Sequence, residues 1–153
     1  MEAPVSRSVV EAFFHAYASR DPAKIAPFIH DDAEWMIVGP IDLFRFCGQR
    51  HGKAAVVDLF ENVVPGILHV TGFDTEILLV DGDRAASFSR VTAIHRDSGR
   101  TISYRCSHFL RFRHDTVIEF RSVIDSFDAA EQMLGHHIDL SPEASAPLAV
   151  LAE

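Results

Sequence analysis

A chain of 153 residues, 48% hydrophobic and 24% charged, has the length and composition of one globular domain, and both exclude intrinsic disorder. At a formal net charge of −8, with 22 Asp and Glu against 14 Lys and Arg, it lacks the cationic surplus on which non-specific nucleic-acid binding depends. Its two cysteines are too few for a disulfide framework, and it shows neither a signal-like pattern nor an apolar run of spanning length, so a cytoplasmic protein without a membrane partner is the expectation.

Apolar positions Val9, Val10, Phe13, Phe14 and Tyr17 recur at helical spacing between Ser6 and Arg20, with Ser6 or Ser8 as N-cap. Asp21-Pro22 predicts a second, short helix, because Asp caps well and proline suits the first helical position. Ala33–Val38 reads as a strand containing Trp35, closed by Gly39-Pro40. The segment from Pro40 to His51 is too apolar for a plain solvent loop and reads as a flap over the core. A third helix starts at Gly52, buries Val56, Val57, Phe60, Val63 and Val64, and ends at Pro65-Gly66.

Four strands follow, Leu68–Val80, Arg84–His95, Arg100–Arg113 and Val117–Ser126, separated by the turn signals Asp81-Gly82-Asp83, Asp97-Ser98-Gly99 and His114-Asp115. Consecutive hairpins imply an antiparallel meander. A capped final helix runs from Asp125 to Leu134 and stops at Gly135. The domain is placed at residues 1–137. Residues 138–153 form a tail rich in Ala and Pro, expected to dock on a partner subunit through Leu148, Val150 and Leu151. Helices followed by a long meander make an α+β arrangement, with the helices on one concave face of a curved sheet.

Read with period two, Thr101–Arg113 puts Ile102, Tyr104, Cys106, His108, Leu110 and Phe112 on one face. An apolar wall carrying a tyrosine, a thiol and a histidine suits a small-molecule pocket, and equally a core with a satisfied histidine. His108, with an ordinary pKa of about 6.5, can serve as acid, base or neutral donor. Tyr104 can orient a carbonyl, and Phe13, Tyr17 and Trp35 are candidate ligand contacts. Arg90 shares an alternation set with Phe88 and Thr92, and facing inward it needs a carboxylate, for which Asp125 is the candidate. Asp125 has two readings of its own. It is either a base raised in pKa by an apolar cavity or the N-cap of the last helix, turned outward while Ile118, Phe120, Ser122 and Ile124 face in. His-Glu-x-x-His, His-x-His, nucleotide-binding glycine motifs and Gly-x-Ser-x-Gly are all absent, so no metal, cofactor or nucleophilic serine is expected.

The order of two helices, Asp31-Asp32-Ala33-Glu34-Trp35, flap, Gly52-Lys53-Ala54-Ala55-Val56 helix, meander and Ile124-Asp125-Ser126-Phe127-Asp128 resembles the SnoaL-like group of the nuclear transport factor 2-like and ketosteroid-isomerase-like superfamily. The resemblance covers residues 5–135. It implies a cone-shaped α+β barrel whose sheet wraps around a long helix, an apolar small-molecule cavity open at one end, and homodimers formed through the outer sheet face. It leaves the chemistry to the site, because this superfamily hosts many activities.

Set against the ketosteroid isomerases, the base position falls near Ile37, the tyrosine position on Phe13 and the acid position on His108, so their mechanism is not expected here. The Arg-x-Asp pair of the limonene epoxide hydrolases corresponds to Arg90-Val91-Thr92, which lacks the carboxylate. The single acidic base of the SnoaL-type cyclases corresponds to Asp125. The expectation is a cofactor-free isomerase, cyclase or hydrolase acting by proton transfer on a carbonyl-bearing cyclic or polyketide-like compound. In it Asp125 is the base, and His108 and Tyr104 hydrogen-bond the enolate. The alternative is a non-catalytic ligand-binding or dimeric interaction module.

Overall fold

The computed structural model describes residues 2–142, so the expected docking of Leu148, Val150 and Leu151 lies outside the described residues. Helix α1 (Arg7–Ser19) begins where the Ser6 hydroxyl accepts from the Val9 N–H, and its C-cap is Arg20 in the left-handed region at φ 58°. Asp21 caps α2 (Pro22–Ile25) by accepting from the Ala23 N–H, and a tight turn at Ala26–Phe28 leads into β1 (Ile29–Val38).

The expected flap is a turn followed by a strand. Phe44, Phe46 and Cys47 are packed into the core, and β2 (Gly48–His51) then pairs antiparallel with β1. Four residues are too few for a period-two signal, which is why the sequence read as irregular.

The third helix does not end at Pro65-Gly66. It runs as α3 (Lys53–Asp58), a π turn (Leu59–Val63) and α4 (Val64–Ile67). In the π turn the Val64 N–H reaches back to the Leu59 carbonyl, and Pro65 then occupies the first turn of α4, where its missing N–H costs nothing. The π turn also buries Leu59 and Phe60.

The meander forms as expected: β3 (Leu68–Asp81), β4 (Arg84–His95), β5 (Thr101–Arg113) and β6 (Thr116–Ile124) pair antiparallel in succession. The sheet order is β2-β1-β6-β5-β4-β3, with β1 parallel to β6. It is a six-stranded sheet with open edges at β2 and β3, bent by register shifts such as those between Val70 and Gly72 and between Thr75 and Ile77. Helix α1 packs on β3 and α3 on β1, while α5 (Ser126–Leu134) packs on β5.

All six residues assigned to the inner face of β5 are buried. Around them the core is built from rings: Phe13 stands edge-on to Phe14, Phe28, Phe112 and Phe120, and Trp35 stacks flat on Phe120 at 3.7 Å.

Candidate functional site

Between α1, the π turn and the concave face of the sheet lies a narrow cavity of about 30 Å³, enough for one or two waters as it stands. Ile37, Leu59, Phe60, Val91 and Ile124 supply apolar walls. The polar lining is Tyr17 and Arg20 from the end of α1, Tyr104, Cys106 and His108 from β5, and Ser122 from β6. None of the lining residues is acidic.

Strand register explains why these groups meet. His108 lies opposite Ser87 on one side and Ser122 on the other, so a row of three buried polar side chains crosses β4, β5 and β6. The His108 Nδ1 is 2.9 Å from the Ser87 Oγ. The ring packs against Phe14, Tyr17, Phe73 and Phe120, and among the described residues Nε2 has no hydrogen-bond partner. Burial first, then the Arg20 charge, pushes the imidazole pKa down to about 3. His108 is therefore a neutral ring with one nitrogen fixed by Ser87.

The same two causes act in opposite directions on the other groups. Burial raises the pKa of Tyr17 and Tyr104 and carries the Cys106 thiol up to about 12, while Arg20 pulls each of them down. The tyrosines and the thiol keep their protons. Arg20 is thus the one ionised side chain lining the cavity. Its guanidinium lies over the Tyr17 ring at 4.5 Å, with Phe73 at 5.4 Å and Phe60 at 5.8 Å.

Such an arrangement stabilises negative charge. It offers neutral donors and one cation in a dry setting, where hydrogen bonds to a developing anion gain strength. Among the described residues it offers no carboxylate to remove a proton from carbon.

The SnoaL-like domain pattern matches residues 10–120. The chain belongs to the SnoaL-like domain family. No curated protein matches the sequence. Among solved structures, one from Rhodopseudomonas palustris, whose isomerase assignment is itself an inference, is 33% identical over 83% of this chain and 93% of its own, with a TM-score of 0.72. TerC, co-crystallised with polyporic acid, is 20% identical over 83% of this chain and 96% of its own, with a TM-score of 0.71. A Catenulispora acidiphila protein with a ketosteroid isomerase-like fold, in complex with trimethylamine, is 12% identical over 90% of this chain and 100% of its own, with a TM-score of 0.71. The last two likenesses show the fold.

Within this SnoaL-like fold the structure places four of the expected site residues, Asp125, Arg90, Phe13 and Trp35, off the cavity lining. Asp125 is exposed and lies outside the cavity, its carboxylate accepting from the Asp128 N–H as the N-cap of α5. Alternation along β6 runs through Ser122 and Ile124 without a bulge, so Asp125 points outward. Arg90 also faces outward, because the buried set on β4 is Ala85, Ser87, Ser89, Val91 and Ala93. It sits 3.8 Å from Glu76 and reaches Ser103, so no Arg90–Asp125 pair forms.

Phe13 and Trp35 are fully buried behind the cavity wall and are not among its lining residues, whereas Tyr17, Tyr104 and His108 are. The sequence reading missed Arg20, Ser87 and Ser122 as members of the site. For the serines a signal existed, since both sit on the inward alternation set of their strands, Ser122 among apolar residues and Ser87 beside a second inward serine, Ser89. For Arg20 it did not: a basic residue ending a helix ordinarily reads as a solvated cap.

Proposed function

We propose that this protein binds a compact, largely apolar, cyclic or polyketide-like molecule in the cavity, which must widen toward the adjoining groove to admit it, and polarises its carbonyl oxygen with neutral hydrogen-bond donors, promoting cofactor-free isomerisation through an enol. The observation that carries this reading is the row Ser87–His108–Ser122, of which His108 and Ser122 line the cavity together with Tyr17, Tyr104, Cys106 and the Arg20 cation among apolar walls. Ser87 donating to Nδ1 leaves the His108 Nε2–H to donate to a ligand oxygen, and the Tyr104 hydroxyl donates beside it. Among the described residues no carboxylate lines the cavity, so the carbon proton passes to a solvent hydroxide, the enolate's charge is held by the two donors, and solvent water returns a proton to the carbon skeleton at its new position. The relationship to the Rhodopseudomonas palustris protein supports the isomerase direction, and the molecules bound by the other two neighbours support small-molecule binding. The test is exchange of a cyclic ketone's α-protons by the wild type and by His108→Ala.

A second reading, a ligand-binding protein without turnover, is favoured by one observation: Asp125, the family's base position, is a helix cap.

For the macromolecular partner we propose a second copy of this chain, met across the outer sheet face, where Leu79, Phe109 and Val123 stand 63%, 54% and 46% exposed. Arg111 and Arg121 line one groove of that outer face with Leu79 and Phe109, and Glu119 supplies the opposite charge there. Apolar side chains exposed together on a sheet face are what an isologous interface covers.

A further inference from the structure

Arg20 is placed at a cost that no carboxylate among the described residues offsets. As C-cap of α1 it holds φ 58°, a conformation glycine adopts freely and other side chains resist. Its Nε is buried and has no hydrogen-bond partner. Arg7, Arg90, Arg111 and Arg113 each lie beside a glutamate, and this acidic chain has carboxylates to spare, yet among the described residues Arg20 faces no carboxylate, only aromatic rings and a side-chain hydrogen bond with Tyr17.

Its position divides two spaces. Arg20, Phe60, Val64, Leu68 and Val70 line the inner cavity and also line an outer groove of about 210 Å³. The groove adds His69 and Arg96, the latter held by its Nε on the Pro65 carbonyl. A strip of cationic and titratable nitrogen therefore leads from solvent to the guanidinium on a molecule whose net charge is −8.

We propose that the ligand is an organic carboxylate, its apolar body in the inner cavity and its carboxylate paired side-on with Nε and one Nη of Arg20, the outer groove being the route of access. This deepens the reading of the cavity as a small-molecule site and rests on it. Side-on pairing uses the nitrogen that lacks a partner, and the planar fork of arginine matches two carboxylate oxygens where a lysine offers only a point charge. The aromatic rings under the guanidinium fix its plane and hold it ready.

The experiment compares acids with their uncharged amides. Propionate with propionamide, and benzoate with benzamide, are titrated at pH 7.5 into wild type, Arg20→Gln and Arg20→Lys, following backbone and side-chain NMR signals of the cavity residues. The expected result is that wild type prefers each acid at least tenfold over its amide, with shifts at Tyr17, Tyr104 and His108. Arg20→Gln is expected to bind acid and amide equally, and Arg20→Lys to recover part of the preference.

Equal binding of acid and amide by the wild type would overturn the carboxylate assignment and leave the cavity reading standing. A preference that survives in Arg20→Gln, or shifts confined to the surroundings of Arg96, would also overturn it. Silence at the cavity with all four compounds would remove the small-molecule reading and the carboxylate with it. The acid-against-amide comparison in wild type stands even where a variant folds poorly.

Discussion

At the scale of single residues, His108 is defined by what surrounds it. A histidine walled by Phe14, Tyr17, Phe73 and Phe120 is neutral near pH 7, since burial pushes its pKa down to about 3. The unfolded chain takes up a proton at this residue as pH falls through about 6.5, and the folded chain does not. Its contribution to stability is therefore whole above about pH 6.5 and is lost below it at up to about 1.4 kcal/mol per pH unit. Urea unfolding of wild type and His108→Gln at pH 7, 5 and 4 checks this, the wild type falling more steeply than the variant. Parallel slopes would mean that His108 protonates freely in the folded state. That His108 faces inward was legible from alternation along Thr101–Arg113. Its pairing with Ser87 was not, because register across a hairpin is set by the turn geometry and the partner strand together.

At the scale of elements, the meander was legible because each strand is long and separated by polar turns, and the five ranges assigned to α1 and β3–β6 match to within one or two residues. The exceptions have physical causes. The short strand β2 carries too few residues to show a period, and the π turn lets a helix absorb Pro65 that would otherwise stop it. Parallel pairing of β1 with β6 joins segments distant in sequence, and no local pattern announces it.

The last helix supplies a prediction at this scale. Asp125 acts on α5 through its N-cap bond, so Asp125→Ala lowers stability by about 1 kcal/mol and Asp125→Asn, which keeps the cap, changes it by a few tenths at most. Chemical denaturation measures both. Neither substitution alters ligand binding or turnover, and a large loss of turnover in a stable Asp125→Asn protein would restore this carboxylate as a base.

At the scale of the whole molecule, the open sheet presents two different faces. The concave face holds the cavity, and the outer face carries Leu79, Phe109 and Val123 in the open. A charge placed at the centre of that outer patch breaks a self-complementary contact twice, once in each copy. Phe109→Glu is accordingly expected to sediment as a monomer where the wild type sediments as a dimer, with unchanged cavity binding. A monomeric wild type would refute the interface. Among the described residues no helix is long and apolar enough to cross a membrane.

The central claim is that the cavity polarises a carbonyl through His108, and its most direct test is hydrogen–deuterium exchange at the α-carbons of cyclohexanone in deuterated buffer, followed by NMR. The wild type should accelerate exchange above the buffer rate and show shifts at Tyr17, Tyr104 and His108, and His108→Ala should lose at least tenfold of that acceleration. Shifts without acceleration would mean a binding protein. Exchange at the buffer rate with no shift in any cavity residue would contradict the account and make this row of polar side chains part of a filled core.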